Sequence, residues 1–319
     1  MTSKEIVKRA VNFSNPPRTP ILYFNRDLDR SDAFFVSYSD PEDFVPDVEG
    51  RSEWGFIWKT SDGTMGQPHF PPLEDGWELL SGYKLPNPDA PGRLNSARGI
   101  IEKNPDKYII GNLGISGFNM ITFIRGMENI FEDMFFEREN LDILTDKVFG
   151  FESRMIEHYA SIKADAVSFY DDWGTQNNLM VSPNQWREIF KEKYKKQFDL
   201  AHSLGLHVFF HSCGQIDLII PDLIEIGVDI LNLNQPDIFG IEYLGENYGG
   251  KVCFNCPVDH QTVAINGTRD EIFDYTKRLQ KSLGTYNGGF IANIEEYKSV
   301  GMSEENYIAI SEAFEALNK

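Results

Sequence analysis

The residues Ala166-Val-Ser-Phe-Tyr170, followed by Asp171-Asp172-Trp173-Gly174, and the residues His207-Val-Phe-Phe-His211, followed by Ser212-Cys213-Gly214, decide the fold. Each is a short, β-rich apolar run that ends in polar residues. Between them lies an amphipathic stretch, 183–204, opened by Ser182 as an N-cap with proline at the first helical position. Strand, helix, strand in this order implies parallel pairing with right-handed crossovers. The alternation continues along the chain from Tyr108, with further strand readings at 108–112, 229–233, 251–254 and 288–292. Helix patterns fall at about 119–136, 139–163, 216–226, 240–247, 268–283 and 303–317.

An apolar run at 20–24, followed by Asn25-Arg26-Asp27, makes a seventh strand. The eighth is expected within 31–100, where Pro, Gly, Trp and Asp are dense. A hairpin is expected there over 54–59 with its turn at 61–63, and a helix over 96–103. The count predicts an α/β fold, a single (β/α)8 TIM barrel over 1–319, with 31–100 as a long irregular insertion after the first strand, lying over the mouth. A doubly wound sheet is the competing architecture, and periodicity alone does not separate the two.

Lys plus Arg is 30 and Asp plus Glu is 49, a formal net charge of −19, which weighs against nucleic acid and polyanionic partners. The apolar runs fall short of the ~20 residues that cross a bilayer. Residues 1–10 are charged and lack the apolar core of a secretory signal. Three cysteines, Cys213, Cys253 and Cys256, are too few and too uneven for a disulfide framework. A cytoplasmic protein with no membrane partner is expected.

In a barrel the active site lies at the C-terminal ends of the strands. His211 and Cys213 are two residues apart and share one side of an extended segment. An imidazole and a thiolate together are soft ligands suited to Zn2+. Cys256, at the mouth end of another strand, is the candidate third ligand, and Cys253 reads as core. The fourth position is open or held by Gln235, Asp171 or water. Asp171 and Asp172 are adjacent, so at most one points into the mouth. There it could serve as an acid or base, a ligand, or the acceptor that orients His211. The competing readings are a loop acid capping the next helix and cysteines that are merely small and buried. Arg26 and Arg30 are spaced to clamp a carboxylate, although Asp27, Asp29 and Asp32 offer local ion pairs. Trp54, with Trp58, Met65 and Phe70, could wall a pocket for a flat or methyl-bearing ligand. Trp173 and Gln235, at strand ends, complete the candidate substrate contacts with Arg26 and Trp54.

Five segments carry a resemblance. They are Arg18-Thr-Pro-Ile-Leu-Tyr-Phe24, Gly114-Ile-Ser-Gly-Phe-Asn-Met-Ile-Thr-Phe-Ile-Arg-Gly126, Tyr170-Asp-Asp-Trp-Gly174, the helix start Ser182-Pro183, and Ile226-Gly-Val-Asp-Ile230. In their order and spacing the chain resembles the uroporphyrinogen decarboxylase superfamily over nearly its whole length. The resemblance implies a (β/α)8 barrel and one of two chemistries: porphyrinogen decarboxylation, or zinc-dependent methyl transfer to or from a corrinoid protein. Arg26 and Arg30 match the decarboxylases' Arg-x-x-x-Arg. Phe123 stands where those enzymes carry a tyrosine, and Ile294 is nearest to where they carry a histidine. His211-Ser-Cys213 matches the methyltransferases' His-x-Cys, whereas Gln235 and Asn293 stand where they carry an acid and a last cysteine. The resemblance is therefore closer to the methyltransferase branch. It implies a methyl group moved between a small methylated compound, such as a methoxy compound, or a thiol and a corrinoid (cobalamin) cofactor, with zinc as Lewis acid. No cobalamin-binding domain is visible, so the corrinoid would arrive on a separate protein. The alternatives are a decarboxylase-like lyase using Arg26 and Arg30 on a smaller acid, and a non-catalytic small-molecule binder.

Overall fold

The computed structural model describes residues 1–60 and 66–318. Eight strands form one parallel sheet: β1 Ile21–Phe24, β2 Ala33–Ser37, β3 Tyr108–Ile115, β4 Ala166–Tyr170, β5 His207–His211, β6 Ile230–Asn232, β7 Cys253–Cys256 and β8 Phe290–Glu295. Their order, β1-β8-β7-β6-β5-β4-β3-β2, is sequential around a nearly closed (β/α)8 TIM barrel. The first and second strands meet through side chains as well as backbone. Asp32 N–H donates to the Ile21 carbonyl at 2.9 Å, while its carboxylate accepts from Ile21 N–H at 2.9 Å. The Ser31 hydroxyl accepts from Tyr23 N–H at 3.0 Å. Arg18 holds the same carboxylate in a fork, with both bonds 2.6 Å long.

The eighth strand lies within 31–100 as expected, but it is Ala33–Ser37. The insertion therefore follows the second strand, not the first. An apolar run of only four residues, set between Arg30 and the Asp- and Pro-rich stretch after it, hides a strand that pairs fully with β3. Within the insertion, Ile57–Lys59 and Gln67–His69 form the expected hairpin. Its turn at 61–63, and Met65, lie outside the described residues. Two buried ion pairs hold the insertion. Arg93 makes two bonds to Glu53, 2.9 and 2.6 Å, and lies over the Tyr38 and Phe151 rings. Arg125, on the barrel helix Gly117–Arg125, bonds Asp133 at 2.8 Å and the carbonyls of Leu73 and Glu74 at 2.6 and 3.0 Å.

The charged N-terminal segment is a helix, Ser3–Val11, started by a Thr2–Glu5 capping box. Its Val7, Ala10 and Val11 pack with Leu22, Ile110, Phe209 and Ile291 inside the barrel and plug its lower end. Lys4 and Lys8 fix it to Asp165 at 3.0 and 2.8 Å. The strands alternate, with one irregularity between Asn112 and Ile115 of β3. Ala166, Phe209, Ile230 and Cys253 point inward, while Val167, Phe210, Leu231 and Phe254 pack outward against the helices.

The helix pattern at 119–136 is two helices, Gly117–Arg125 and Met127–Phe136, broken at Gly126 with φ 92°. Two buried carboxylates close the first turn of Gly117–Arg125, where backbone N–H groups lack helical partners. Glu152 accepts from Gly117 N–H and from Gln197 Nε2, both at 2.7 Å. Asp171 accepts from Phe118 N–H at 2.9 Å and Asn119 N–H at 2.8 Å, and takes a short bond from the Tyr194 hydroxyl.

Burial pushes the Glu152 carboxyl up from its ordinary 4.5 to about 7, against the pull of Gln197 and Gly117. Asp171 is pushed up as well, by the same desolvation. The folded chain therefore keeps protons that the unfolded chain releases, and stability falls as pH rises from about 4.5 to about 7. Urea midpoints measured across that range should decline with pH in the wild type and decline less steeply in Glu152→Gln. Parallel profiles would assign the proton to another group.

Candidate metal centre

The loops that follow β4 and β5 run against each other through their backbones. Asp171 N–H donates to the His211 carbonyl at 3.1 Å, Gly174 N–H to Cys213 at 3.2 Å, and Gln215 N–H to Thr175 at 2.8 Å. The approach requires glycine on both sides. Gly214 has φ 75°, and a Cβ there would stand 2.2 Å from the Gly174 carbonyl oxygen. This contact brings Asp172 to the His-x-Cys pair. One ligand atom each from Asp172, His211 and Cys213 lie within 4.8 Å of one another. His211 Nε2 is 3.5 Å from Asp172 Oδ1 and 3.4 Å from Cys213 Sγ. Asp172 Oδ1 also accepts from Cys213 N–H at 2.8 Å, which fixes the carboxylate beside the thiol.

A ladder of amides turns the histidine. His211, Asn232 and Asn255 stand level on β5, β6 and β7. Asn255 Nδ2 donates to the Ile291 carbonyl of β8 at 3.1 Å. That orientation leaves its Oδ1 to accept from Asn232 Nδ2 at 2.9 Å, and Asn232 Nδ2 also donates to the Asn255 carbonyl at 2.8 Å. Asn232 must then present Oδ1 to His211 Nδ1, 2.6 Å away. The Nδ1 proton is used there, so Nε2 is the nitrogen that faces Asp172 and Cys213, where a metal could displace its proton.

The three residues border a cavity of about 320 Å3 at the C-terminal ends of the strands. Phe35 and Phe209 are among its lining residues, with Tyr170 tilted over His211 at 4.9 Å between ring centres. Asn119, Asn234, Asn293 and Glu295 supply polar lining. His260 Nδ1 stands 3.7 Å from Glu295 Oε2. Burial alone would lower the His211 pKa, but Asp172 and Cys213 beside it raise it well above its ordinary value. Burial raises Asp172 in turn, and the bonds to His211 and the Cys213 N–H more than reverse this. The cluster thus favours positive charge at its centre, and a divalent cation meets that demand with imidazole, thiol and carboxylate donors.

The other candidate residues fall elsewhere. Asp171 is fully buried and caps the helix Gly117–Arg125, so Asp172 alone reaches the mouth. Cys256 does not join the cluster. Its strand alternates with Cys253 and Asn255 inward, so Cys256 packs in the helix-facing core, where burial pushes its thiol up to about 12. Cys253 faces the barrel interior, level with Ile230 and beneath the amide ladder. Trp173 is stacked on Phe118 at 4.3 Å in the outer core. Gln235 precedes the short turn Pro236–Ile238 and is absent from the cavity lining, where Asn232 and Asn234 of the same segment stand instead. Arg26 pairs with Glu304 at 2.9 Å and lies over Tyr297 and Tyr307, and Arg30 bonds Glu315 and Ser311. Trp54, Trp58 and Tyr38 line a second cavity of about 390 Å3, which shares only Ile115 with the first. Phe70 is exposed. The amide ladder, Glu295 and His260 were not singled out from the sequence. The available signal was the polar residue recurring at every second position of a strand end, as in Asn232 and Asn234 or Asn293 and Glu295.

No helix among the described residues is long and apolar enough to cross a membrane. No curated protein matches the sequence significantly. Among solved structures, a methyltransferase from Methanosarcina mazei superposes over 100% of both chains with a TM-score of 0.78 at 15% identity. A 3-keto-D-glucoside 4-epimerase from E. coli covers 80% of this chain and 97% of its own, with a TM-score of 0.44 at 14% identity. The family model described as uroporphyrinogen decarboxylase (URO-D) matches residues 63–317, most of the chain. The barrel, its order of strands and this match together establish that the chain belongs to the uroporphyrinogen decarboxylase (URO-D) family.

Proposed function

We propose that this protein is a methyltransferase of a corrinoid-dependent system, holding zinc through Asp172, His211 and Cys213. It moves a methyl group between a small methylated compound or a thiol and a corrinoid carried by a separate protein. The observation that carries this reading is the convergence of one imidazole nitrogen, one thiol sulfur and one carboxylate oxygen within 4.8 Å beside the cavity. Three protein ligands with a side open to a cavity are the pattern of catalytic rather than structural zinc. The Methanosarcina mazei protein that shares this barrel end to end is itself a methyltransferase, which supports the assignment.

Zinc bound there supplies Lewis acidity toward a donor oxygen or an acceptor thiol. The chain's own groups do the rest. Asn232 holds the Nδ1 proton of His211, so Nε2 is the nitrogen aimed at the cluster. Phe35 and Phe209 line the cavity toward the barrel's apolar interior and exclude water from below. Glu295 is the second acid of the same lining, its carboxyl raised by burial and lowered in part by the charge of His211. A decarboxylase would need free cations for its acid, but Arg26 and Arg30 are tied to the C-terminal helix. Among the described residues the cavity lining contains two acids and neither Lys nor Arg.

Protein purified without chelator should carry about one zinc per chain. Cys213→Ala should lose most of it, while Cys256→Ala and Cys253→Ala keep it. Asn232→Leu should weaken zinc about 10- to 100-fold by freeing the ring it orients. Methyl transfer from methylated donors to added cob(I)alamin should disappear with the metal in Cys213→Ala. Zinc-free wild type, or full occupancy in Cys213→Ala, would refute the centre. Uroporphyrinogen III should show no decarboxylation above background. Measurable CO2 release from it would restore the lyase reading.

A further inference from the structure

The cavity lining contains an unusual pairing of groups. Four aromatic rings, Phe24, Phe35, Tyr170 and Phe209, share it with two carboxylates, Asp172 and Glu295. Among the described residues His211 is its one basic side chain, and this ring belongs to the candidate metal cluster. The rings do not lie in one plane. Phe35 meets Phe24, Tyr170 and Phe209 at interplanar angles of 84°, 65° and 88°, with centres 5.3 to 6.2 Å apart. Perpendicular rings turn their faces in different directions, as in the aromatic boxes that hold quaternary ammonium ions. The charge balance agrees. Asp172 and a Cys213 thiolate would offset a divalent cation in the cluster, which leaves Glu295, raised by burial, with no cation of the protein's own as its partner. His260 does not neutralise it. Burial pushes that imidazole down to about 4, so it faces Glu295 as a neutral ring.

Resting on the methyltransferase reading, we infer that the substrate bound in this cavity is a small methylated ammonium cation, seated against the aromatic rings with Glu295 as its counter-charge. A methoxy acid would place its carboxylate against two carboxylates. A neutral ether would leave Glu295 unpaired in a largely buried site, at a desolvation cost with nothing to offset it. The chemistry also balances. When a quaternary ammonium gives up a methyl group, the C–N bond breaks and its electron pair stays on nitrogen. The new bond forms from carbon to the acceptor, the reduced corrinoid of the partner protein, and a neutral amine leaves. No proton has to reach the leaving group, so Glu295 can remain charged throughout.

The test compares choline with 3,3-dimethyl-1-butanol, its uncharged carbon analogue, by calorimetry on the zinc-containing protein, with 4-methoxybenzoate as the anionic probe. Choline should bind at least about tenfold tighter than the analogue, the size of a desolvated cation–aromatic contact. Glu295→Gln should erase most of that preference and leave zinc content unchanged, and Phe24→Leu should weaken choline more than the analogue. Equal binding of choline and its analogue, binding of neither, or preference for 4-methoxybenzoate would overturn the inference. Zinc content measured on the same preparation reports on the metal centre independently, so a failed ligand and a failed centre are told apart.

Discussion

The site depends on one constraint: side chains alternate across a strand, and the barrel stacks the inward-facing ones in levels. The lower levels hold Leu22, Ile110, Phe209, Ile230 and Ile291, closed from below by the helix Ser3–Val11. At the next level up on β5 to β7, the inward residues become His211, Asn232 and Asn255. Three polar side chains inside a barrel are tolerable only if each is satisfied, and their mutual bonds, ending on the Ile291 carbonyl, do this. The same bonds fix the tautomer of His211. The hydrogen bonds that permit burial also aim Nε2 of His211 at Asp172 and Cys213.

The second constraint is the contact between the loops after β4 and β5. Gly174 and Gly214 let the two backbones approach to hydrogen-bonding distance, where any side chain would collide. From that contact the neighbouring acids take opposite parts. Asp171 turns into the protein and closes a helix start. Asp172 turns out toward His211 and Cys213. Burial pushes the first up, and the charges around the second hold it down, so two adjacent aspartates have opposite protonation tendencies.

An acidic chain need not have a featureless acidic surface. Much of its basic complement is bound locally: Arg93 to Glu53, Arg125 to Asp133, Arg18 to Asp32, and Arg26 and Arg30 to the last helix. These cations hold the insertion and the barrel seam together. They are not available at the mouth, which leaves the cavity to aromatic rings, amides and carboxylates.

The alternation of β-rich and amphipathic runs determined a parallel α/β fold, seven of its eight strands near their observed bounds, the Ser182 helix start, and the His211–Cys213 pair. Each is a local pattern, readable because strand period, capping chemistry and two-residue spacing act over a few neighbours. β2 escaped because four apolar residues carry too little periodicity, and Ser3–Val11 because its charged face outweighs four buried residues in a linear reading. The third member of the cluster was beyond the sequence for a different reason. Whether Cys256 or Asp172 reaches His211 depends on which face of β7 is inward and how closely two loops far apart in sequence approach. A shift of one residue in register would exchange Cys253 and Asn255 for Phe254 and Cys256. Only the closed barrel sets that register, and with it the choice of carboxylate over thiol.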